Sequence, residues 1–430
     1  MIISSGIIAS EHEVLVLDAI VEKLSFEECL QFIKKQNVDF VFFITGVSSW
    51  EEDFRFARSL KDACACTLIA SGGILLHHYR EVMEMYPFLD AVLLDFTSRN
   101  ILTYLAAPHT LKPLPDLVLR QGDKLIEGGT ERKKVFTIPV PRHDLFPLKK
   151  YRLPHSRYKQ VTASVNNYGC PFKCAFCIAG TLGFKYRPWE NVMEELQYIR
   201  TIGLKEVFFK DFTFEVPRQN SMEICRRMIA ERIGLAWICS SRVDTVDEEM
   251  LSLMKAAGCH TIQFGVENNN EEILKDYEKN ITPAQVRKTF ALCRKYGIKI
   301  LAHFILGLPG ETKESIAATL QFAKELNPDY AAFNIAIPQV GTELRKKCLE
   351  KGYLKDQGMT MDSSRAYPLI ETGLLTPGQV WNIRNQVIRD YYLRPSFLWK
   401  KVMGIRSPYD AVRLINEGAS LILDTFTSKG

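Results

Sequence analysis

From residue 161 onward the chain repeats a single unit, a short apolar run of strand length followed by an amphipathic helical stretch, about once every forty residues. Strands are expected at 161–165, 206–209, 236–240, 261–265, 299–306 and 330–337. The helices between them start at readable caps, as at Thr282-Pro283 and Asp247-Glu248-Glu249. Strand and helix in alternation build a parallel sheet covered by its own helices, and six units make a partial (β/α)6 barrel of the TIM type rather than a closed ring of eight. Functional groups in such a barrel gather where the strands end.

The first of these strands runs directly into Asn167-Tyr168-Gly169-Cys170-Pro171-Phe172-Lys173-Cys174-Ala175-Phe176-Cys177, so a loop with three cysteines spaced C-x-x-x-C-x-x-C lands on that face. Thiolates are the usual ligands of iron–sulfur clusters, and three of them on a cube of four irons leave one iron open to a small molecule. A structural zinc site wants four ligands, and the chain has no second C-x-x-C or H-x-x-x-H pair to complete one. Eleven cysteines is an odd number, and Cys29, Cys225, Cys239, Cys259, Cys293 and Cys348 sit singly in apolar stretches. They read as buried thiols in a reducing cytosol, with Cys64-Ala65-Cys66 leading into a strand.

The loop resembles the cluster loop of the radical SAM superfamily, both in cysteine spacing and in the aromatic residue, Phe176, before the last cysteine. The resemblance covers roughly residues 161–342. It implies a 4Fe-4S cluster on Cys170, Cys174 and Cys177, S-adenosylmethionine (SAM) on the open iron beside Phe176, and an electron donor such as flavodoxin or ferredoxin. One electron from the cluster would cleave the sulfonium of SAM to a 5'-deoxyadenosyl radical. The other strand ends then become candidate SAM contacts. Asp211 follows the second strand and suits the SAM ammonium. Ser240 and Arg242 end the third, where a guanidinium suits the SAM carboxylate. Gly265 and Glu267 lie in a segment resembling the family's G-V-E run, and Gly307 and Gly310 let backbone approach a nucleoside. A lone acid at a strand end is equally a helix cap or an ion-pair partner.

Residues 1–110 alternate in the same way. Runs at 14–18, 41–45, 67–70 and 91–94 read as buried strands, with helices near 51–63 and 75–85 and another opened by Ser25-Phe26-Glu27-Glu28. The pattern suggests an open, Rossmann-like (flavodoxin-like) parallel sheet that takes ligands at its carboxyl edge. Order and spacing resemble the cobalamin-binding domain that precedes the radical core in one branch of the superfamily, which implies Ser48, Ser71, Gly72 and Gly73 as cobalamin contacts. The chain has no D-x-H-x-x-G run, the family's first strand and helix read as shortened or missing, and Phe96-Thr97-Ser98 replaces a loop rich in glycine and glutamate. Retained cobalamin binding and a purely structural sheet both stay open.

Proline and charge dominate residues 111–155, which read as an extended linker. Pro141-Arg142-His143-Asp144-Leu145 resembles the connector into the radical core, with His143 a linker residue rather than a ligand. The barrel occupies 156–345. Residues 346–430 read as a helical tail, with helices at 377–392 and 409–422 and the aromatic pair Tyr391-Tyr392 either lining a substrate pocket or packing the core.

The net charge of +5, from 55 basic and 50 acidic residues, is small, and no basic run points to nucleic acid. Met1-Ile2-Ile3-Ser4-Ser5-Gly6 lacks the basic start and apolar core of a signal peptide, and no apolar stretch of about eighteen residues offers a membrane span. A cytoplasmic protein is expected. Three functions fit these observations. The first is a radical SAM enzyme acting on a small molecule, by methyl transfer if cobalamin is bound and by oxidation, cyclisation or rearrangement if not. The second is a methylthiotransferase, which in its family carries a second cluster on three amino-terminal cysteines and a small terminal β-barrel. The third is a cluster-bearing sensor that binds SAM without turning it over.

Overall fold

The structure, a computed structural model, describes residues 1–46, 49–110, 112–131, 133–354 and 368–403, together with 405, 414 and 418. Two sheets organise it. The amino-terminal sheet runs in the order β1 (Phe40–Ile44), β2 (Thr67–Ser71), β3 (Ala91–Leu93), β4 (Leu117–Gln121), β5 (Lys124–Glu127). Its first three strands are parallel, joined by helices Trp50–Ala63 and Leu75–Met85. The helix before β1, Phe26–Gln36, starts at the expected capping box, in which Ser25 and Glu28 satisfy each other's backbone N–H groups.

Three expectations for this half need correction. Residues 14–18 form no strand: Val16 packs on the barrel core, Leu15 is exposed, and Asp18 accepts a hydrogen bond from Val21 N at 3.1 Å to start a short helix. The sheet is mixed rather than parallel, because β4 and β5 add an antiparallel hairpin inside the stretch read as linker. Its turn is Gly122-Asp123, with Gly122 at φ +55. Helix Ile2–Ala9 was not expected; its fully buried Ile7 joins Ile69, Leu93 and Ile101 in the core on one face of the sheet.

The second sheet holds six parallel strands in sequence order, β6 (Thr162–Ser164), β9 (Glu206–Phe209), β10 (Ala236–Ser241), β11 (Cys259–Glu267), β12 (Lys299–Leu306) and β13 (Tyr330–Ile335), and it is open between β13 and β6. Two short strands between the first pair, β7 (Asn167–Tyr168) and β8 (Lys185–Tyr186), form a separate hairpin. Asp247 and Thr282 cap their helices as expected. Alternation along β12 separates two environments. Ile300, Ala302, Phe304 and Leu306 are buried under helices that contribute Phe290 and Phe322, whereas Leu301, His303 and Ile305 face inward and stay half-buried. The interior of the partial barrel is therefore accessible rather than filled.

The tail helix Pro377–Tyr392 lies on β13. Tyr391 is fully buried with its ring 5.5 Å from Phe333, and Tyr392 Oη donates to Ala331 O, so this aromatic pair packs the core. The helix expected at 409–422 falls outside the described residues. Among the described residues no helix is long and apolar enough to cross a membrane.

Lys185 of the β7–β8 hairpin joins the two halves. Its ammonium pairs with Asp95 just past β3, donates to Thr97 Oγ1 at 2.6 Å, and lies 5.1 Å from the ring centroids of both Phe136 and Tyr168. The two side chains are only 11% and 13% exposed, so removing one partner strands a nearly buried charge. Asp95→Ala is expected to lower stability by about 3 kcal/mol in urea unfolding, whereas Asp95→Leu combined with Lys185→Met recovers most of that loss.

Candidate active site

The residues after β6 form a loop tied at its neck. The β7–β8 hairpin closes it, and Asp211 Oδ1 accepts the N–H groups of Asn166 and Asn167 at 2.8 and 2.5 Å. Asn167 Nδ2 donates to Thr213 O and Val216 O, both at 2.9 Å, which anchors the same turn to the chain beyond β9. Gly169 sits at φ +73, and a Cβ there would lie 1.5 Å from Gly183 O, so the two ends of the loop touch backbone to backbone. Farther out, Ala175 N donates to Tyr277 O and Leu344 N donates to Ala175 O, fastening the cysteine loop to the barrel mouth.

All three sequence-predicted thiols stand half-buried on this loop. Cys170 Sγ is 3.7 Å from Thr213 Oγ1, and Cys174 Sγ accepts from Arg242 Nη1 at 3.3 Å. Burial pushes Cys177 up to about 11 and raises Cys174, against the opposing positive charges of Lys279 and Arg242. A bound metal is what would hold such sulfurs as thiolates at neutral pH. Among the described residues no three His, Cys, Asp or Glu side chains converge on one ion. A cubane takes one thiolate per iron, so ligands at separate corners suit it.

Several predicted SAM contacts are turned to other work. Arg242 clasps Asp244 through Nε and Nη2 at 2.9 and 2.8 Å, donates to Lys279 O at 2.7 Å, and stacks 4.1 Å over Phe172, so its guanidinium braces the cluster loop rather than facing an open carboxylate site. Asp211 is 2% exposed, and burial pushes it up to about 7; its Oδ2 has no partner among the described residues. Glu267, at φ +62 beside an irregularity in β11, pairs with Lys279 at 2.8 Å. A Cβ on Gly265 would collide with both of those side chains, and one on Gly307 would lie 2.7 Å from Val380 of the tail helix. Gly307 is thus required by packing. Gly310 alone, at φ +99, has open space beside it. Phe176 packs against the small core of Ile273, Tyr277 and Leu308, and Ser240 is half-buried with its carbonyl accepting from Phe214 N.

Glu311, not foreseen, shapes the loop after β12: its carboxylate accepts the N–H groups of Gly307 and Leu308 at 2.7 and 2.9 Å and Asn268 Nδ2 at 2.7 Å. Its position just after Gly310 was the available signal. Lys279, Asp244 and Thr213 also escaped notice; Lys279 meets Glu267 only through the fold.

The candidate cobalamin residues serve the amino-terminal sheet itself. Ser71 Oγ donates to Leu93 O at 2.8 Å, a Cβ on Gly72 would lie 2.2 Å from Thr45 O, Gly73 is half-buried, and Ser48 lies outside the described residues. The carboxyl edge of that sheet nevertheless faces the cluster loop, with Ile178 and Val340 packed on its core and His77 against Gly341. At this seam His77 buries an Nε2 with no hydrogen-bond partner among the described residues, and so does the next residue on its helix, His78. A seam with orphaned polar nitrogens fits a polar cofactor lying between the sheets.

A half-open cluster loop on the carboxyl face of a six-stranded parallel barrel defines a radical SAM core. The sequence profile of the Radical SAM superfamily matches residues 167–323. An uncharacterized methyltransferase of Pyrococcus horikoshii is 31% identical over 93% of this chain and 88% of its own. The chain belongs to the radical SAM superfamily. Its fold is shared with OxsB, a cobalamin-dependent SAM radical enzyme solved with aqua-cobalamin (TM-score 0.73, 15% identity, 99% of this chain and 69% of that one). It is shared as well with the radical SAM methyltransferase TsrM from Kitasatospora setae, solved with cobalamin and a [4Fe-4S] cluster (TM-score 0.66, 17% identity, 88% and 80%).

Cys177→Ala is expected to take reconstituted iron from about four per chain toward zero. Gly169→Ala keeps all three thiols but closes the neck on Gly183 O, and should lose most of the iron. Gly183→Ala, at the same φ of +73 with nothing near its Cβ, should retain it. Iron analysis of the three variants checks the set.

Proposed function

We propose that this enzyme methylates a small molecule at an unactivated carbon, using a 4Fe-4S cluster, SAM and cobalamin. When bound, the cluster and SAM supply the 5'-deoxyadenosyl radical and cobalamin the methyl carrier. The observation that carries the reading is the seam: the carboxyl edge of a Rossmann-like sheet is set against the cysteine loop, and there His77 Nε2 is buried without a partner among the described residues. The similarity to the Pyrococcus methyltransferase and the shared fold with two cobalamin-bound enzymes support it.

The residues divide the work. Cys170, Cys174 and Cys177 hold the cluster. Arg242, fixed by Asp244 and Phe172, keeps positive charge beside Cys174 and favours its thiolate. Asp211 and Glu311 hold backbone amides in the loops after β6 and β12, so the mouth is preorganised before ligands arrive. The Lys185–Asp95 pair sets how the seam meets the loop, and the barrel interior below receives substrate.

Anaerobic purification with hydroxocobalamin, then SAM and a one-electron reductant, tests this. Expected are about one corrinoid and about four irons per chain, and 5'-deoxyadenosine well above a Cys174→Ala control. A cluster without corrinoid would turn the reading to cobalamin-independent oxidation or rearrangement. About eight irons would indicate a methylthiotransferase, and a SAM-dependent cluster spectrum without cleavage would indicate a sensor.

A further inference from the structure

A line of polar side chains runs through the barrel interior, and the reaction just described does not use it. Asn334 Nδ2 lies 3.5 Å from His303 Nδ1, His303 Nε2 lies 3.3 Å from Gln263 Oε1, and Gln263 Nε2 lies 3.0 Å from His155 Nε2. With the two amides as placed, one direction satisfies all three pairs. Asn334 donates to His303, His303 donates to Gln263, and Gln263 donates to His155. Both imidazoles are then neutral, and the proton of His155 is on Nδ1. Burial acts in the same sense, lowering His303 and pushing His155 down to about 4, with the positive charge of Lys210 adding to the shift of His155.

The line ends on a donor. No acceptor is recorded for His155 Nδ1 among the described residues. Its ring is flanked by Phe208 at 6.4 Å and Tyr330 at 6.0 Å. Phe208 also carries a cation: the ammonium of Lys210, from the residue just past β9, lies 4.7 Å from the Phe208 centroid. Lys210 has neither a carboxylate nor a hydrogen-bond acceptor among the described residues, and its side chain is exposed, so an ion entering the open barrel can reach it. Three other cations near the mouth have carboxylate partners, Lys279 in Glu267, Arg242 in Asp244 and Lys185 in Asp95. An exposed ammonium and an imidazole N–H whose tautomer the relay fixes, both against Phe208 and both without an acceptor among the described residues, offer two donors to an anion that enters the barrel.

We propose that Lys210 and His155 form an anion subsite inside the barrel that takes a carboxylate or phosphate group of the substrate and so positions it beneath the cluster loop. The use of the subsite in turnover rests on the radical SAM reading, but its existence does not. Isothermal titration of the reconstituted full chain with inorganic phosphate, and separately with acetate, tests it. At least one anion should bind, and which one does distinguishes phosphate from carboxylate. Lys210→Met should weaken binding about tenfold or more, the weight of one charge-assisted hydrogen bond. Lys210→Arg should keep it, and His155→Phe, which preserves the ring but removes Nδ1–H, should weaken it as well. Binding of neither anion, or equal binding by wild type and Lys210→Met, overturns the proposal. Anion binding in a protein that forms no 5'-deoxyadenosine would leave the subsite standing and remove the proposed reaction, and the reverse result would do the opposite.

Discussion

One nearly buried ammonium sets the relation between the two halves of the molecule. Lys185 projects from the hairpin that closes the cluster loop, and its carboxylate partner, Asp95, stands at the end of a strand in the other sheet. Two aromatic faces and Thr97 complete its surroundings. Because a buried charge tolerates little displacement from its counter-ion, the hairpin neck and the carboxyl edge of the amino-terminal sheet move together. Phe96 adds an edge-on contact with Tyr168, 5.2 Å between centroids, on the same side. The loop Phe96-Thr97-Ser98, which departs from the cobalamin branch in sequence, thus serves as the docking surface for the cluster hairpin.

The mouth of the barrel is built by acids that hold backbone instead of ligands. Asp211 binds two amides at the start of the cysteine loop, and Glu311 binds two in the loop after β12. Both are almost fully buried, and burial raises each to about 7. Glu215, likewise buried, is raised to about 8. A carboxyl group that caps amides from the inside keeps a loop in one conformation where no regular hydrogen-bond ladder is available. Such loops can then present sulfur and backbone to a cofactor without rearranging.

The barrel was legible because its signal is local and repeated. The expected strands at 206–209 and 299–306 match β9 and β12 residue for residue, and the tail helix at 377–392 begins and ends as read. The grouping of Cys170, Cys174 and Cys177 on one loop was legible because three thiols in one short segment need no long-range information. What failed depended on partners distant in sequence. Residues 14–18 have strand composition, but no neighbouring strand offers them a ladder. The β4–β5 hairpin carried an overlooked Gly-Asp turn between apolar runs, hidden by the prolines before it. Arg242 was expected to face the SAM carboxylate, and its partners Asp244, Phe172 and Lys279 could be assigned only once the third strand, the cysteine loop and the segment after β11 met.

Glycines show most clearly why strand-end motifs underdetermine chemistry. Gly72 and Gly307 sit where ligand-binding glycines are expected, and both have positive φ, yet the atoms that exclude a side chain belong to Thr45 and Val380 of the protein itself. Close approach is demanded equally by a cofactor and by a packed backbone, so a glycine in sequence cannot tell them apart. The polar line in the barrel presents the converse case. His155, Gln263, His303 and Asn334 come from a connecting segment and three strands, and none belongs to a motif. Their pattern of donors and acceptors exists only after folding, and it is the pair of donors left without an acceptor among the described residues, at Lys210 and His155 Nδ1, that bears on a ligand.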